Sequence, residues 1–287
     1  MTSAATFKQS RRRLRASTVF VYALLLTGAA LSIVPFFWLI RSSFMDMIEI
    51  YIMPPLWWSR HPTWENFRNV FLADVPFFQY FLNTIKIVIP VIIGTVASSS
   101  LAAYGFARFE FPFRKGWFAI CISSMLIPGA VTMIPGFLIW QKLGAINTYW
   151  PLIFPSFMGG GAFNIFLFRQ FFMTLPRSLD EAATLDGCGP LRIYWQILLP
   201  LIGPVCITVM LFTFMGTWND FFGPMLYLYD MEKYTVSLGL QLFSSAYGTH
   251  AGAVMAGALV MTLPTVIIFF IGQRYFVQGI VTTGIKA

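Results

Sequence analysis

Six long runs without a charged residue divide the sequence and limit what it can fold into. They cover about residues 19–40, 87–107, 116–140, 149–168, 197–219 and 251–273. A helix needs about 20 apolar residues to cross a bilayer, and each run reaches that length. Only helices and closed barrels satisfy their backbone hydrogen bonds in lipid, and runs this long without strict alternation predict helices. We therefore expect an all-α integral membrane protein with six transmembrane helices.

The composition agrees with a membrane protein. Hydrophobic residues make up 57% of the chain and charged residues 10%, whereas soluble domains are about one quarter charged. The net charge of +8 could suggest a nucleic-acid partner. In a membrane protein an excess of Lys and Arg is better explained by topology, so we expect the lipid bilayer as a partner and no nucleic acid.

The positions of the basic residues predict an orientation. With both termini in the cytoplasm, thirteen of the nineteen Lys and Arg residues fall on the cytoplasmic side, as the positive-inside rule requires. Residues 1–18 then form a basic cytoplasmic tail, and residues 19–287 form the membrane domain. The first run could also be a signal peptide, with Ala30-Leu31-Ser32 as a cleavage site. At 22 residues it is longer than a signal core of about 7–15, which favours an uncleaved span.

The segment of residues 174–196, between the fourth and fifth runs, is unusually polar. Ser178 and Glu181 have the spacing of a capping box, and Gly187 is the residue type that ends a helix in a left-handed conformation. Gly189 and Pro190 then predict the start of a second helix that leads into the fifth span. A short helix with a small apolar face (Leu179, Ala182, Ala183) suits a groove in a partner protein. The alternative is a helix on lipid headgroups, which would more often be rich in Lys and Arg.

The sequence of this segment resembles a motif of a known protein family. EAATLDG at 181–187, followed by ILLP at 197–200, is similar to the EAA loop of the permease subunits of ABC importers. Further matches point to the second permease of maltose-type carbohydrate importers. They are WENFRNVF at 64–71, AAYGFARFEFPFRKGWF at 102–118, MIPGFLIWQKLGAINTYW at 133–150, TWNDFFGPM at 217–225 and the C-terminal QRYFVQGIVTTGIKA.

The resemblance implies a mechanism and a set of partners. The segment would be a coupling helix held in a cleft of a cytoplasmic ATPase, with Glu181 as its polar anchor, Ala182 and Ala183 in close contact, Asp186 ordering the turn and Gly187 making it. Glu181 could instead only cap its own helix. The implied partners are a second permease, two ABC ATPase subunits that bind ATP and Mg²⁺, and an extracytoplasmic solute-binding protein that docks on residues 220–250. This chain itself would bind no cofactor or metal. The implied location is a bacterial cytoplasmic membrane.

The solute path is harder to read. Polar residues inside spans tend to face a cavity, and aromatic rings hold sugars, so the candidates are Gln141, Asn164, Trp218, Asn219 and Asp220. Prolines in the third run and Gly159–Gly161 in the fourth could interrupt helices near the middle of the membrane. Taken singly, each of these residues is better explained by ordinary helix packing or, for Trp, by the aromatic belt at the membrane interface.

Three other functions agree less well with the sequence. A permease for glycerol phosphate, an amino acid or a peptide remains the alternative, although the charge-free runs offer no basic residue for a phosphate. A membrane-embedded enzyme would need a nucleophile–base pair or metal ligands, and no run contains His. An ion channel would have no use for the coupling segment. The sequence also has no phosphate-binding loop of the GxxxxGK[ST] type, so the ATPase would have to be a separate chain.

Overall fold

The computed structural model describes residues 16–72, 76–247 and 250–284, and the regular structure in these ranges is helical. Residues 1–15 of the predicted tail and residues 285–287 lie outside them. The α-helices are α1 Ala16–Ser43, α2 Met47–Tyr51, α3 Glu65–Leu72, α4 Phe77–Arg108, α5 Arg114–Ser123, α6 Gly129–Lys142, α7 Trp150–Ile153, α8 Ala162–Thr174, α9 Ser178–Leu185, α10 Pro190–Ile193, α11 Leu199–Leu201, α12 Gly203–Trp218, α13 Phe222–Tyr227, α14 Val236–Tyr247 and α15 Ala251–Gly284.

Four helical stretches in the described residues are long and apolar enough to cross a membrane: Thr18–Ser43, Phe77–Arg108, Trp150–Thr174 and Ala251–Gln273. Two more candidates are bent pairs. Arg114–Leu126 and Gly129–Lys142 meet at 98°, and Pro190–Leu201 and Gly203–Trp218 meet at 80°. All six predicted regions are thus helical. The break in the third agrees with the interruption that its prolines suggested, whereas the break in the fifth was not predicted.

Two predicted span boundaries also need correction. The second span was predicted to begin at residue 87, but α4 begins at Phe77 and includes Lys86. The fourth was predicted to end at residue 168, but α8 continues to Thr174 and includes Arg169. A charged residue ends a charge-free run in the sequence, yet it does not end the helical backbone. The apolar runs therefore underestimate the length of a helix that carries a basic side chain toward one of its ends.

The bend in the third span lies at a proline. A 3₁₀ turn, Ser124–Leu126, follows α5, and Ile127 is extended with ψ of 116°. Pro128 disfavours the helical conformation in the residue before it, which explains the extended Ile127. The fifth span is interrupted by a π-helical turn, Tyr194–Leu198, and then by the break at Ile202.

The fourth span is interrupted at Gly159–Gly161, as the sequence suggested. All three glycines have positive φ. At Gly160 a Cβ would lie 2.6 Å from the backbone oxygen of Thr95. The glycine therefore allows the fourth span to approach the backbone of α4.

Two hydrophobic cores lie along α4. The first joins the C-terminal half of α4 to α8, α9, α10 and the first half of α12, around Phe168, Phe172 and Leu198. The second joins the N-terminal half of α4 to α3, α14, α15 and the end of α12, around Phe77, Trp218 and Val236. By contrast α1 packs against α15 and leaves most of its side chains exposed, as a lipid-facing helix would.

Candidate functional site

The polar segment forms the helix–turn–helix that its sequence predicts. Gly187 follows α9 with φ of 79°. Its N–H donates to the oxygen of Thr184 at 3.0 Å, and the N–H of Cys188 donates to the oxygen of Ala183 at 2.9 Å. This pair of bonds is a Schellman motif, which satisfies the last carbonyls of a helix. Gly189 then precedes α10, and Pro190 is its first residue. The predicted turn at Gly187 is confirmed.

The predicted capping box at the start of α9 is wrong. The residue before the helix is Arg177, already in a right-handed helical conformation, and no side chain caps the helix. The oxygen of Arg177 accepts from the N–H groups of Asp180 and Glu181 at 3.0 and 3.1 Å. Ser178 is therefore inside the first turn rather than before it. Glu181 is exposed and does not cap its own helix.

An ion pair that sequence reasoning missed fixes α9 to the membrane domain. Asp180 Oδ2 lies 3.3 Å from Arg108 Nε, and the two side chains are 22% and 7% exposed. Arg108 Nη2 also donates to the oxygen of Leu175 at 3.1 Å. The available signal was the opposite charges at the end of a long apolar run and at the start of α9. Nothing local to either stretch identifies the other as its partner.

Two tyrosines fix the far side of the turn to α4. Tyr104 Oη donates to the oxygen of Pro190 at 3.1 Å. The hydroxyls of Ser100 and Tyr194 lie 2.8 Å apart. Together with the Arg108–Asp180 pair, these bonds hold both ends of the helix–turn–helix against the last turns of α4.

The exposed side of α9 differs from the apolar face that the sequence predicts. Glu181, Ala182 and Leu185 are exposed, Leu185 to 90%. We call these three residues the coupling surface. Ala183 is only 5% exposed and packs into the core of its own chain. The predicted partner contact of Ala183 is therefore corrected: its small side chain allows α9 to approach its own core. Asp186 is exposed, and backbone bonds rather than its side chain order the turn.

The residues predicted for the solute path lie in three places. Gln141 is exposed near the end of α6. Asn164 is half-buried in α8, and its amide donates to the oxygen of Gly160 at 2.6 Å. Trp218, Asn219 and Asp220 follow one another at the end of α12. No hydrogen bond among the described residues connects these three places.

The three residues at the end of α12 have different surroundings. Trp218 is 1% exposed and its indole N–H donates to the oxygen of Met261 at 3.0 Å. Its ring stacks on Phe214, so in this conformation it serves packing and offers no face to a solute. Asn219 is exposed and bonds the oxygen of Met215. Asp220 accepts from the N–H of Gly223 at 3.1 Å, and burial raises the pKa of its carboxyl.

A cavity of about 500 Å³ lies between α6 and α13. The residues that line it were not among the sequence predictions. They include Thr132 and Met133 on α6 and Gly223 and Tyr227 on α13. The Tyr227 ring stacks on Phe137 with a centroid separation of 6.3 Å. An aromatic wall with a few polar groups is typical of small-molecule sites.

The loop after α13 is attached to two other parts of the chain. Asn147 Oδ1 accepts from the N–H groups of Tyr229 and Asp230, both at 3.1 Å. Asp230 accepts from Lys233 Nζ at 2.8 Å and from the amide of Asn147, and these donors lower the pKa of its carboxyl. The amide of Asn83 donates to the oxygens of Glu232 and Tyr234 at 2.7 and 3.1 Å. This loop, residues 228–235, is therefore fixed to the beginning of α4, at the opposite end from Arg108.

Comparison with known proteins identifies the family. A family model described as binding-protein-dependent transport system inner membrane component matches residues 3–282. The lactose transport system permease protein LacG of Rhizobium radiobacter is 32% identical over 94% of this chain and 96% of its own length. AraQ of Halalkalibacterium halodurans, an arabinooligosaccharides transport system permease protein, is 31% identical over 78% and 80%. UgpE of Yersinia pestis, an sn-glycerol-3-phosphate transport system permease protein, is 30% identical over 93% and 97%.

A solved structure has the same fold. It is a bacterial ABC transporter involved in the import of the acidic polysaccharide alginate, and a chain of it aligns with a TM-score of 0.79 at 23% identity. The alignment covers 96% of this chain and all of that one. With a family model that spans nearly the whole sequence, relatives of matching length and a shared helical fold, this chain belongs to the binding-protein-dependent transport system inner membrane components and is a transporter permease subunit.

Proposed function

We propose that this chain, with a second homologous permease, forms the membrane path of an ATP-driven ABC importer for a sugar or oligosaccharide. An extracytoplasmic binding protein would deliver the solute, and the complex would lie in a bacterial cytoplasmic membrane. The family match supports a binding-protein-dependent system. The named substrates of AraQ and LacG support a carbohydrate.

The observation that carries the proposal is the coupling surface. Glu181, Ala182 and Leu185 project from a helix that is fixed on both sides to α4. An exposed Leu beside an exposed carboxylate suits a groove with an apolar floor and a cationic or N–H donor at its edge. ATP and Mg²⁺ would be bound by two partner ATPase subunits, and this chain would bind no cofactor.

Rigid attachment is what lets such a surface transmit a movement. A nucleotide can shift the membrane helices between two states only through its different affinity for them. A groove that moves when ATP binds would carry α9 with it. Since α9 is connected to α4 by the Arg108–Asp180 pair and to α12 through α10, displacement of α9 would reach both cores.

The cavity between α6 and α13 is the candidate place for solute contact in this chain. Tyr227 offers a ring face, and Thr132 offers a hydroxyl. The bend at Pro128 brings the start of α6 to this cavity. Asn164, Asn219, Asp220 and Gln141 stay predictions for the path, and the second permease would supply the remaining contacts.

A glycerol phosphate is a second candidate solute. UgpE is nearly as similar to this chain as the sugar permeases are. Binding measurements on the binding protein encoded beside this chain would separate the two, because it must select the solute before delivery.

The first experiment is co-purification of this chain with the permease and ATPase encoded beside it, comparing wild type with Glu181→Lys. We expect the wild type to retain the ATPase and the variant to lose it, because the substitution reverses the only charge of the coupling surface. Glu232→Lys is the matched control: it reverses an exposed carboxylate in the loop at the other end of α4 and should retain the ATPase. If both variants retain the ATPase, the coupling surface does not bind it. If both variants lose the ATPase equally, the loss is a general effect of charge.

A further inference from the structure

Arg169 has an unusual environment for a guanidinium in a membrane helix. It lies five residues before the end of α8, inside the candidate span Trp150–Thr174. Its guanidinium carbon is 4.1 Å from the centre of the Phe118 ring on α5. Its Nε is buried and has no hydrogen-bond partner. Charged side chains at such depth are costly unless they are paired or reach polar surroundings.

The charges around Arg169 are positive. Arg114, the first residue of α5, adds a second positive charge near Arg169, and its Nη1 donates to the oxygen of Phe109 at 2.8 Å. Lys115 follows Arg114 and is exposed. The two ion pairs within 4 Å among the described residues are Arg108–Asp180 and Lys233–Asp230, so no carboxylate of that part of the chain pairs with this cluster. We call Arg114, Lys115 and Arg169 the basic cluster.

The position of the basic cluster matches the depth of lipid headgroups. Arg114 lies just beyond the C-terminal end of α4, and Arg169 is about one and a half turns from the end of α8. Phe113 and Trp117 beside it are 85% and 55% exposed. Exposed aromatic residues at the end of a span are typical of the membrane–water interface. Arg108, which bonds to Leu175 at the end of α8, marks this as the coupling end of the molecule.

We propose that the basic cluster binds the phosphate of an anionic phospholipid, seated between α5 and α8 with the Phe118 ring as its inner wall. The phosphate oxygens would accept from the unpaired Arg169 and from Arg114 and Lys115. Guanidinium groups bind phosphate through paired N–H donors, and basic pockets between membrane helices on the cytoplasmic side bind anionic headgroups. The bound lipid would neutralise the repulsion between Arg114 and Arg169 where the broken third span meets α8.

The test uses the full chain, purified with its partner subunits and placed in nanodiscs. Spin-labelled phosphatidylglycerol and spin-labelled phosphatidylcholine report which lipid is held at the protein. We expect wild type to prefer phosphatidylglycerol. Arg169→Gln with Lys115→Gln should reduce that preference roughly 25-fold, since each of the two cations near the surface contributes about fivefold. Arg68→Gln with Lys142→Gln removes one exposed Arg and one exposed Lys elsewhere and should leave it unchanged.

Four results would overturn the proposal. One is a wild type that shows no preference for phosphatidylglycerol over phosphatidylcholine. Another is an equal loss of this preference in the two double variants. The third concerns Arg169→Lys, which keeps the charge: if it loses as much as Arg169→Gln, the arginine only packs on Phe118. A competition separates the possible sources of the phosphate. Millimolar inorganic phosphate at constant ionic strength should leave the preference for phosphatidylglycerol intact, and its abolition would assign the site to a soluble anion instead.

Discussion

The Arg108–Asp180 pair connects α9 to α4 through two side chains. Arg108 is nearly buried, and its Nη2 is already used by the oxygen of Leu175. A buried charge that loses its partner is costly, whereas the pair itself adds little net stability. The pair therefore matters for where α9 sits more than for how stable the whole protein is.

Asp180→Asn should loosen α9 without unfolding the protein. We expect hydrogen exchange of residues 178–188 to show a local loss of about 1–2 kcal/mol, below the roughly 3–5 kcal/mol of a fully buried pair because Asp180 is partly exposed. Asp186→Asn, which makes the same change at an exposed residue of the same turn, should have no effect. Adding Arg108→Gln to Asp180→Asn should restore part of the protection, because no unpaired charge remains.

Asp220→Asn separates folding from solute contact at the end of α12. The amide oxygen of Asn can still accept from the N–H of Gly223, and the buried charge is removed. Burial raises the pKa of Asp220, so its ionised form is the less favoured one in the fold, and stability should be unchanged or increase slightly at neutral pH. A loss of solute transport with an unchanged melting temperature would therefore assign Asp220 to the path. Unchanged transport would leave it as a local cap of α13.

At the scale of elements, local patterns in the sequence predict turns better than they predict where helices start. Gly187, Gly189 and Pro190 were read correctly because each imposes a backbone conformation on its own position. The prediction of a capping box was wrong because Arg177, before Ser178, is already in a helical conformation. The side chain of Ser178 does not determine the conformation of that preceding residue. The third span bends by 98° at Pro128. The size of this bend could not be derived from the proline, and neither could the long-range pairing of Arg108 with Asp180.

Two glycines with nearly equal φ separate backbone conformation from close packing. Gly144 has φ of 65° and open space around it, whereas Gly160 has φ of 62° and a Cβ there would lie 2.6 Å from Thr95 O. Gly144→Ala should destabilise by about 1 kcal/mol, the cost of a left-handed Ala. Gly160→Ala should cost several times more and separate the fourth span from α4. The melting temperatures of the two purified variants test this, and equal losses would show that the contact between the spans is not tight.

At the scale of the whole molecule, α4 is the element that connects both functional ends. It has 32 residues, which is about 48 Å of helix. Its first turns hold the loop of residues 228–235 through Asn83, and its last turns hold α9 through Arg108 and Tyr104. If a binding protein docks on the loop of residues 228–235 and an ATPase on the coupling surface, α4 connects the two directly.

Asn83→Leu tests this connection. The substitution keeps the size of the side chain but removes both bonds to the oxygens of Glu232 and Tyr234. We expect the assembled importer to keep its basal ATPase activity, because the coupling end is untouched, and to lose most of its stimulation by the loaded binding protein. Glu232→Gln alters the side chain of the same loop without touching its backbone oxygen, and it should keep the stimulation. If Asn83→Leu is stimulated as strongly as wild type, the loop of residues 228–235 does not communicate with the ATPase through α4, and the signal must cross through α12 and its packing on α15 instead.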